Sequence, residues 1–179
     1  MNDGLIPGRY AKALYKVACE NGDAQEIYEQ LKRLNFSYST IEDMKKVALN
    51  PYISADQRAE MLLAVTGATK GGSLDKFIYL IIQNNRTPLL RKIALAYVKL
   101  YRQQHNIAKV EIETASPLSK EELDRIVGVV KKKLGDVELE ISHEINQSLI
   151  GGFKVRVDSI LLDASIKNEL QNLRLKLLS

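Results

Sequence analysis

The spacing of apolar residues changes once along this chain, near residue 106, and that change limits the folds the chain can adopt. Up to His105 the apolar residues recur at intervals of three and four, which is typical of amphipathic helices. Beyond it they alternate with polar residues, as in Lys109–Thr114, which is typical of half-buried strands. We therefore predict a mainly α chain, with a helical N-terminal domain of residues 1–105 and a small α+β C-terminal domain of residues 106–179.

Start and stop signals divide the first 105 residues into about six helices with short connections, which predicts a helical bundle. Gly22 and Gly67 end helical patterns, and Pro51 breaks the chain between two others. Ser54 and Gln57 have the spacing of a capping box, in which a serine side chain and a glutamine side chain satisfy each other's backbone N–H groups.

The second part reads as β-α-β-β-β-α. Its one internal helix begins with a capping box at Ser119 and Glu122 and ends at Gly135. The segments with strand periodicity are 109–114, 137–141, 153–157 and 160–163. A terminal helix follows the last of them.

We expect the second and third of these strands to form an antiparallel pair. That pairing places Glu140 opposite Lys154 and Glu138 opposite Arg156. Each exposed cross-strand ion pair would contribute only about 0.2–1 kcal/mol.

Residues that carry chemistry are scarce. The chain has two histidines and one cysteine, and neither His105 nor His143 has a Cys, His or acidic pair at ligand spacing. Cys19 is expected to be a buried helix cysteine, and Gly151–Gly152 lacks the spacing of a phosphate loop. We predict no catalytic residue, no cofactor and no metal, so this chain is not expected to be an enzyme by itself.

Charge leaves one alternative open. The chain has a net charge of +4, and no acidic residue lies between Asp75 and Glu111. Seven basic residues lie in that interval: Lys76, Arg86, Arg91, Lys92, Lys99, Arg102 and Lys109. A solvated helix face explains such a stretch, but so does a basic nucleic-acid-binding module, whose binding would fall steeply with salt.

The first helix carries more apolar surface than one core contact requires. Around Gly8–Val17 the polar residues Arg9, Lys12, Lys16 and then Glu20 make one narrow stripe. A helix resting on one core needs an apolar face of roughly 100°. The rest of this surface is expected either to pack inside the bundle or to lie under a partner.

Two segments near the ends of the chain resemble a known family. Residues 8–15, GRYAKALY, resemble the opening helix of the delta subunit of F-type ATP synthases, the family of the oligomycin-sensitivity-conferring protein. Residues 151–157, GGFKVRV, and 160–170, ILLDASIKNEL, are similar to its C-terminal signature. The length of the chain and its helix-then-α+β order also match, so the resemblance covers nearly the whole chain.

The resemblance implies a stator subunit with no catalysis of its own. Such a subunit links the catalytic head, through the N-terminal helix of an alpha subunit, to the b subunits of the peripheral stalk. The head then does not turn with the rotor, and proton-driven ATP synthesis is supported. The implied location is peripheral, at the cytoplasmic face of a bacterial inner membrane.

Combined with the helical spacing, the resemblance gives candidate contact residues. The first helix would offer anchors to an alpha-subunit helix at the spacing of helix-in-groove recognition, with the long helix ending near His105 as the opposing wall and Arg91 and Arg102 at the rim. The anchors are Tyr10, Ala13, Leu14 and Val17, and the wall is Leu90, Ile93, Ala94 and Tyr97. The b subunits would contact the apolar face of the terminal helix, at Ile166, Leu170, Leu173 and Leu177.

Overall fold

Six α-helices form the N-terminal part of the chain among the residues that the computed structural model describes. The described residues are 5–41, 43–50, 52–135, 137–157 and 160–178, with all side chains except those of residues 45, 47, 49, 172 and 176–178. The helices are α1 (Leu5–Asn21), α2 (Ala24–Thr40), α3 (Met44–Leu49), α4 (Ala55–Thr66), α5 (Ser73–Gln83) and α6 (Leu90–Gln104).

Local signals set most of these boundaries. The Ser54 hydroxyl accepts a hydrogen bond from the backbone N–H of Gln57, and the Gln57 side chain accepts one from the backbone N–H of Ser54, so the predicted capping box is present. Gly67 ends α4 in the left-handed conformation, at φ 70°. Asp23 precedes α2 without a capping hydrogen bond from its side chain.

Helix α6 lies at the centre of the bundle, packed against both α1 and α2. Its residue Tyr97 is fully buried, and the Tyr97 hydroxyl donates a hydrogen bond of 3.0 Å to the carbonyl oxygen of Ala24. Tyr28 on α2 stacks on Tyr101, with ring centroids 4.3 Å apart. Tyr15 of α1 contacts the Tyr97 ring edge to face, with centroids 5.9 Å apart, so aromatic contacts join α1, α2 and α6.

The C-terminal part contains one sheet and two helices, in the predicted order β-α-β-β-β-α. Its elements are β1 (Ile107–Thr114), α7 (Lys120–Leu134), β2 (Glu138–Ile145), β3 (Gly152–Val157), β4 (Ile160–Ser165) and α8 (Ile166–Leu178). The predicted capping box at Ser119 and Glu122 begins α7. The predicted fold class, a helical bundle followed by a small α+β part, is confirmed.

The sheet has the strand order β2-β1-β3-β4, which contradicts the pairing expected from the sequence. Strand β1 pairs in parallel with β2 and antiparallel with β3, so β2 and β3 never meet. As a result Lys154 faces Glu113, and Arg156 faces Glu111, rather than the acids of β2.

The reason for this order is the connection through α7 and the burial of β1. A helix joining two neighbouring strands makes them parallel, which places β2 beside β1. Strand β1 alternates strictly between buried and half-buried residues, whereas β2 is largely exposed. The strand with the most complete apolar face therefore takes the centre, and the acid-rich β2 takes an edge.

The core of this part lies between one face of the sheet and α7. Val110, Ile112 and Val155 from the sheet pack against Val130 of α7. The opposite face carries charged residues, among them Lys154 and Asp163, whose Nζ and Oδ2 atoms are 3.2 Å apart. Helix α7 therefore covers the face of the sheet that carries Val110, Ile112 and Val155.

The contacts within the chain divide it into two compact units, Met1–Gln104 and His105–Ser179. This division lies next to the position where the hydrophobic period changes. Independent folding of each unit stays a prediction.

Candidate partner-binding grooves

An apolar groove of about 490 Å³ lies between α1 and α5 in the N-terminal unit. One wall is formed by α1, and all four predicted anchors line it: Tyr10, Ala13, Leu14 and Val17. The other wall is formed by Phe77 and Leu80 of α5.

The floor of this groove is buried and its upper edges are open. Leu14 and Phe77 are almost fully buried, whereas Val17 is 44% exposed and Leu80 is 47% exposed. Tyr10 contacts Phe77 edge to face, with ring centroids 6.3 Å apart. The groove thus combines a fixed floor with exposed apolar side chains that a partner could still bury.

A side-chain hydrogen bond joins the two walls. Asn21, at the end of α1, donates to the Ser73 hydroxyl at the start of α5, over 2.9 Å. Because this bond and the Tyr10–Phe77 contact lie at different positions along both helices, they fix the two walls relative to each other.

The opposing wall expected from the sequence, on α6, is not part of this groove, and its contact with a partner stays a prediction. All four expected α6 residues are buried in the bundle and do not line the groove: Leu90, Ile93, Ala94 and Tyr97. Since α6 packs against both α1 and α2, its apolar stripe is used inside the unit. The exposed apolar residue of α6 is Leu95, which is 51% exposed and lies outside the groove lining.

Arg91 and Arg102, expected at the basic rim, do not line this groove either. The Arg91 guanidinium lies over the Tyr38 ring, 5.8 Å from its centroid, and the Nε atom of Arg102 donates to the Tyr28 hydroxyl over 3.1 Å. The cations that line the groove are instead Arg9 of α1 and Lys76 of α5.

The sequence of α5 contains a pattern that indicates a second apolar surface on this helix. The run Phe77–Ile82 is apolar at every position, and a helix with one core face does not need this. In the structure Ile78 and Ile81 fill the bundle core, while Leu80 remains half exposed at the groove.

A second apolar groove, of about 350 Å³, lies between α7 and strands β3 and β4 in the C-terminal unit. Ile126 and Val129 line it from α7, and Phe153, Val155 and Leu162 line it from the sheet. Val129 is 64% exposed and Leu162 is 52% exposed. This groove was missed from the sequence, although three consecutive apolar residues on the short β4 segment were a sign of it.

The terminal helix α8 exposes the residues proposed for the b subunits. Ile166, Leu170 and Leu173 are each about half exposed, and the side chain of Leu177 lies outside the described part of the chain. Ile166 lies over Gly151, where an added Cβ would be only 2.5 Å from the Ile166 Cδ1 atom. The apolar residues of α8 thus remain available beyond its first turn.

Tyr15, Cys19 and Tyr97 interact electrostatically in the N-terminal unit. Cys19 is exposed, which corrects the expectation of a buried thiol. Burial raises the pKa of the Tyr15 hydroxyl, and a hydrogen bond with Cys19 raises it further. Burial likewise raises the pKa of Tyr97. Both phenols therefore stay neutral at physiological pH and act as hydrogen-bonding groups.

Within the described ranges, no three Cys, His, Asp or Glu residues come together in a way that could hold a metal ion. The ring nitrogen Nε2 of His143 lies 2.7 Å from the Thr114 hydroxyl, as suits a histidine on a strand. No helix in those ranges is both long enough and apolar enough to cross a bilayer.

The sequence pattern of the ATP synthase delta (OSCP) subunit family matches residues 6–177. This chain belongs to that family. Its relatives include the ATP synthase subunit delta of Parabacteroides distasonis, which is 30% identical over 99% of this chain and 98% of the relative. Another is the ATP synthase subunit delta of Staphylococcus aureus strain JH9, which is 32% identical over 96% of each chain.

A solved structure agrees with this membership at the level of fold. A chain of the cryo-EM structure of the Toxoplasma gondii mitochondrial ATP synthase hexamer has a TM-score of 0.71 to this chain, covering 97% of both, at 22% identity. The family resemblance seen in the sequence is therefore confirmed.

Proposed function

We propose that this subunit is a non-catalytic stator link that holds the catalytic head of the synthase to its peripheral stalk. The observation that carries the proposal is the apolar groove between α1 and α5, because an exposed groove of this kind in a subunit of a larger assembly is a site for a partner helix. The partner at this end is the N-terminal helix of an alpha subunit.

The dimensions of the groove suit a single amphipathic helix. Its α1 wall runs from Arg9 to Val17, about 12 Å at 1.5 Å per residue, which spans a little over two helical turns. The contact would lie near the lower end of specific interfaces, roughly 1,200 Å² in total. The partner would bury the exposed or half-exposed apolar side chains of the lining, which are Tyr10, Ala13, Val17 and Leu80.

The C-terminal unit is proposed to hold the end of the peripheral-stalk b subunits. Two apolar surfaces of this unit support the assignment, namely the groove between α7 and β4 and the exposed leucines of α8. Leu170 and Leu173 are spaced three residues apart, as on one helix face. An elongated b-subunit helix could use either surface or both.

The mechanical task explains why such a subunit needs grooves rather than reactive groups. The rotor drives synthesis only if the head is prevented from turning, so the link must carry the reaction torque without dissociating. Buried apolar contacts give slow dissociation, and no bond has to be made or broken in the link itself. In this proposal the subunit stays at the cytoplasmic face of a bacterial inner membrane through its partners alone.

The first experiment titrates the full chain with the N-terminal segment of the alpha subunit from the same synthase, using calorimetry. Leu80→Ala removes an exposed side chain from the groove, and Leu95→Ala removes one of similar exposure from outside it. Burying the remaining half of a leucine is worth about 1 kcal/mol, so we expect Leu80→Ala to weaken binding about five-fold. Leu95→Ala is expected to leave the affinity unchanged.

The second experiment tests the other end with the C-terminal segment of the b subunit. Leu162 and Leu161 are adjacent on β4 and equally exposed, but only Leu162 lines the groove with α7. We expect Leu162→Ala to weaken b-segment binding several-fold and Leu161→Ala to leave it intact. Equal effects of the two substitutions would remove the α7–β4 groove from the proposal.

A further inference from the structure

The described charged residues that line the groove between α1 and α5 are all positively charged. Among the described residues that line it, two carry charge, and both are cations: Arg9 on the α1 wall and Lys76 on the α5 wall. Both side chains belong to exposed residues. The remaining lining is apolar apart from Ser73.

Among the described residues, the acids nearest in sequence to these cations are Asp75 and Glu20, and neither forms an ion pair with them. The Oδ2 atom of Asp75 accepts a hydrogen bond of 2.7 Å from the backbone N–H of Gly71. Glu20 is exposed on α1, one turn beyond Val17, and does not line the groove. Within the part of the chain that the structure describes, no carboxylate forms an ion pair with Arg9 or Lys76.

We propose that Arg9 and Lys76 select the occupant of the groove, and that they favour an amphipathic helix with acidic residues along both sides of its apolar stripe. This inference rests on the proposed function, because it specifies the chemistry of the helix that the groove binds. The two cations stand on opposite walls, so a helix lying between them passes one cation on each side. Charge complementarity of this kind discriminates between partners of similar shape.

The apolar walls strengthen the attraction between these cations and an acidic partner, because charges beside an apolar surface are screened less than charges in open water. The contribution of each cation is nevertheless that of an exposed pair. An exposed ion pair contributes up to about 1 kcal/mol, which is a factor of about five in affinity for each cation. The two cations therefore add selectivity to a binding affinity that comes mainly from apolar contacts.

The test uses two synthetic helices of about 18 residues with the same leucine and isoleucine stripe. One carries glutamates on both sides of the stripe, and the other carries glutamines at the same positions. The full chain is titrated with each peptide at low and at high salt, and the N-terminal segment of the alpha subunit serves as a third probe. The protein variants are Arg9→Gln/Lys76→Gln and, as a matched control on α1, Lys12→Gln, which lies outside the groove lining.

We expect the glutamate peptide to bind the parent about 3- to 20-fold more tightly than the glutamine peptide at low salt, with a smaller difference at high salt. In Arg9→Gln/Lys76→Gln the two peptides should bind equally, while Lys12→Gln should keep the preference. This cycle separates a charge contact from a general loss of stability, which would weaken both peptides alike.

The inference is overturned if the parent binds both peptides equally, or if the preference survives in Arg9→Gln/Lys76→Gln. It is also overturned if neither peptide binds while the alpha-subunit segment does. In all three cases the groove itself stands. If the alpha-subunit segment fails to bind the parent, the proposed function fails at this end of the subunit, and the selection falls with it.

Discussion

Replacing Gly152 by alanine should remove much of the stability of the C-terminal unit. Gly152 begins β3 with φ 76°, a conformation that costs an L-residue roughly 1–2 kcal/mol. A Cβ atom at this position would lie 2.2 Å from the carbonyl oxygen of Ala164 on β4, which is backbone and cannot rotate away. The start of the β3–β4 ladder must therefore separate.

The size of the effect follows from these two contributions. The conformational cost is about 1–2 kcal/mol, and losing one or two backbone hydrogen bonds adds about 1 kcal/mol each, which together give about 3 kcal/mol. A domain of this size has a free energy of unfolding of roughly 4–11 kcal/mol. The substitution would thus remove between a quarter and three quarters of the stability of the unit.

Gly128→Ala provides a control with the same chemical change and the opposite expected sign. Gly128 lies inside α7, and no atom lies within 4 Å of a Cβ built on it. Alanine in a helix interior is more favourable than glycine by about 0.5–1 kcal/mol. This variant should therefore be slightly more stable than the parent.

The tyrosines make the assay specific to one unit. All eight lie between residues 10 and 101, so tyrosine fluorescence reports on the N-terminal unit, while far-ultraviolet circular dichroism reports on both. In urea, Gly152→Ala should shift a part of the dichroism transition to lower denaturant and leave the tyrosine transition in place. A loss no larger than 1 kcal/mol would refute the argument from the Ala164 contact, and an equal shift of both signals would refute independent unfolding.

Three further predictions concern the stability of the units. The hydrogen bond from the Ser165 hydroxyl lowers the pKa of Asp163, so the ionised carboxylate stabilises the fold at neutral pH. This contribution is lost as the pH falls through the lowered pKa. Asp163→Asn should therefore reduce the fall in the free energy of unfolding at acid pH, measured by circular dichroism. Ser119→Ala removes the capping box of α7 and should cost about 1 kcal/mol in urea unfolding, an expectation that an unchanged midpoint would contradict. Expressed alone, residues 1–105 should melt cooperatively, and residues 106–179 should melt at a lower temperature or without a sharp transition; a non-cooperative melt of 1–105 would refute this.

The class and order of the elements could be predicted from the sequence because they depend on neighbouring residues. Helical spacing, the two capping boxes and the alternation in β1 are local patterns, and each appears in the structure where the sequence placed it. The third strand was expected at 153–157, and β3 runs from Gly152 to Val157. None of these features requires knowledge of which elements meet in space.

Strand pairing and the second wall of the groove could not be predicted in the same way. The acidic residues of β2 and the basic residues of β3 suggested that these strands pair directly. An exposed ion pair contributes less free energy than placing a strand on each side of β1, which buries its apolar residues. For the groove, an apolar stripe on α6 and an apolar run on α5 look alike in sequence. Only the packing of α6 between α1 and α2 shows that its stripe is used within the unit.

The two units differ in how much of their apolar surface they bury without a partner. The N-terminal unit has a core built from all six helices, and its exposed apolar surface at the groove is limited to a few side chains such as Val17 and Leu80. The C-terminal unit has four buried hydrophobic residues in its sheet–helix core, while Val129, Leu162 and Leu170 are each more than half exposed. A partner present at 100 times its Kd would stabilise such a unit by about 2.7 kcal/mol, which is close to the loss expected from the Gly152 substitution. Under the proposed function, the stalk partner therefore stabilises the unit that it holds, and the strength of the link and the folding of that unit depend on the same contacts.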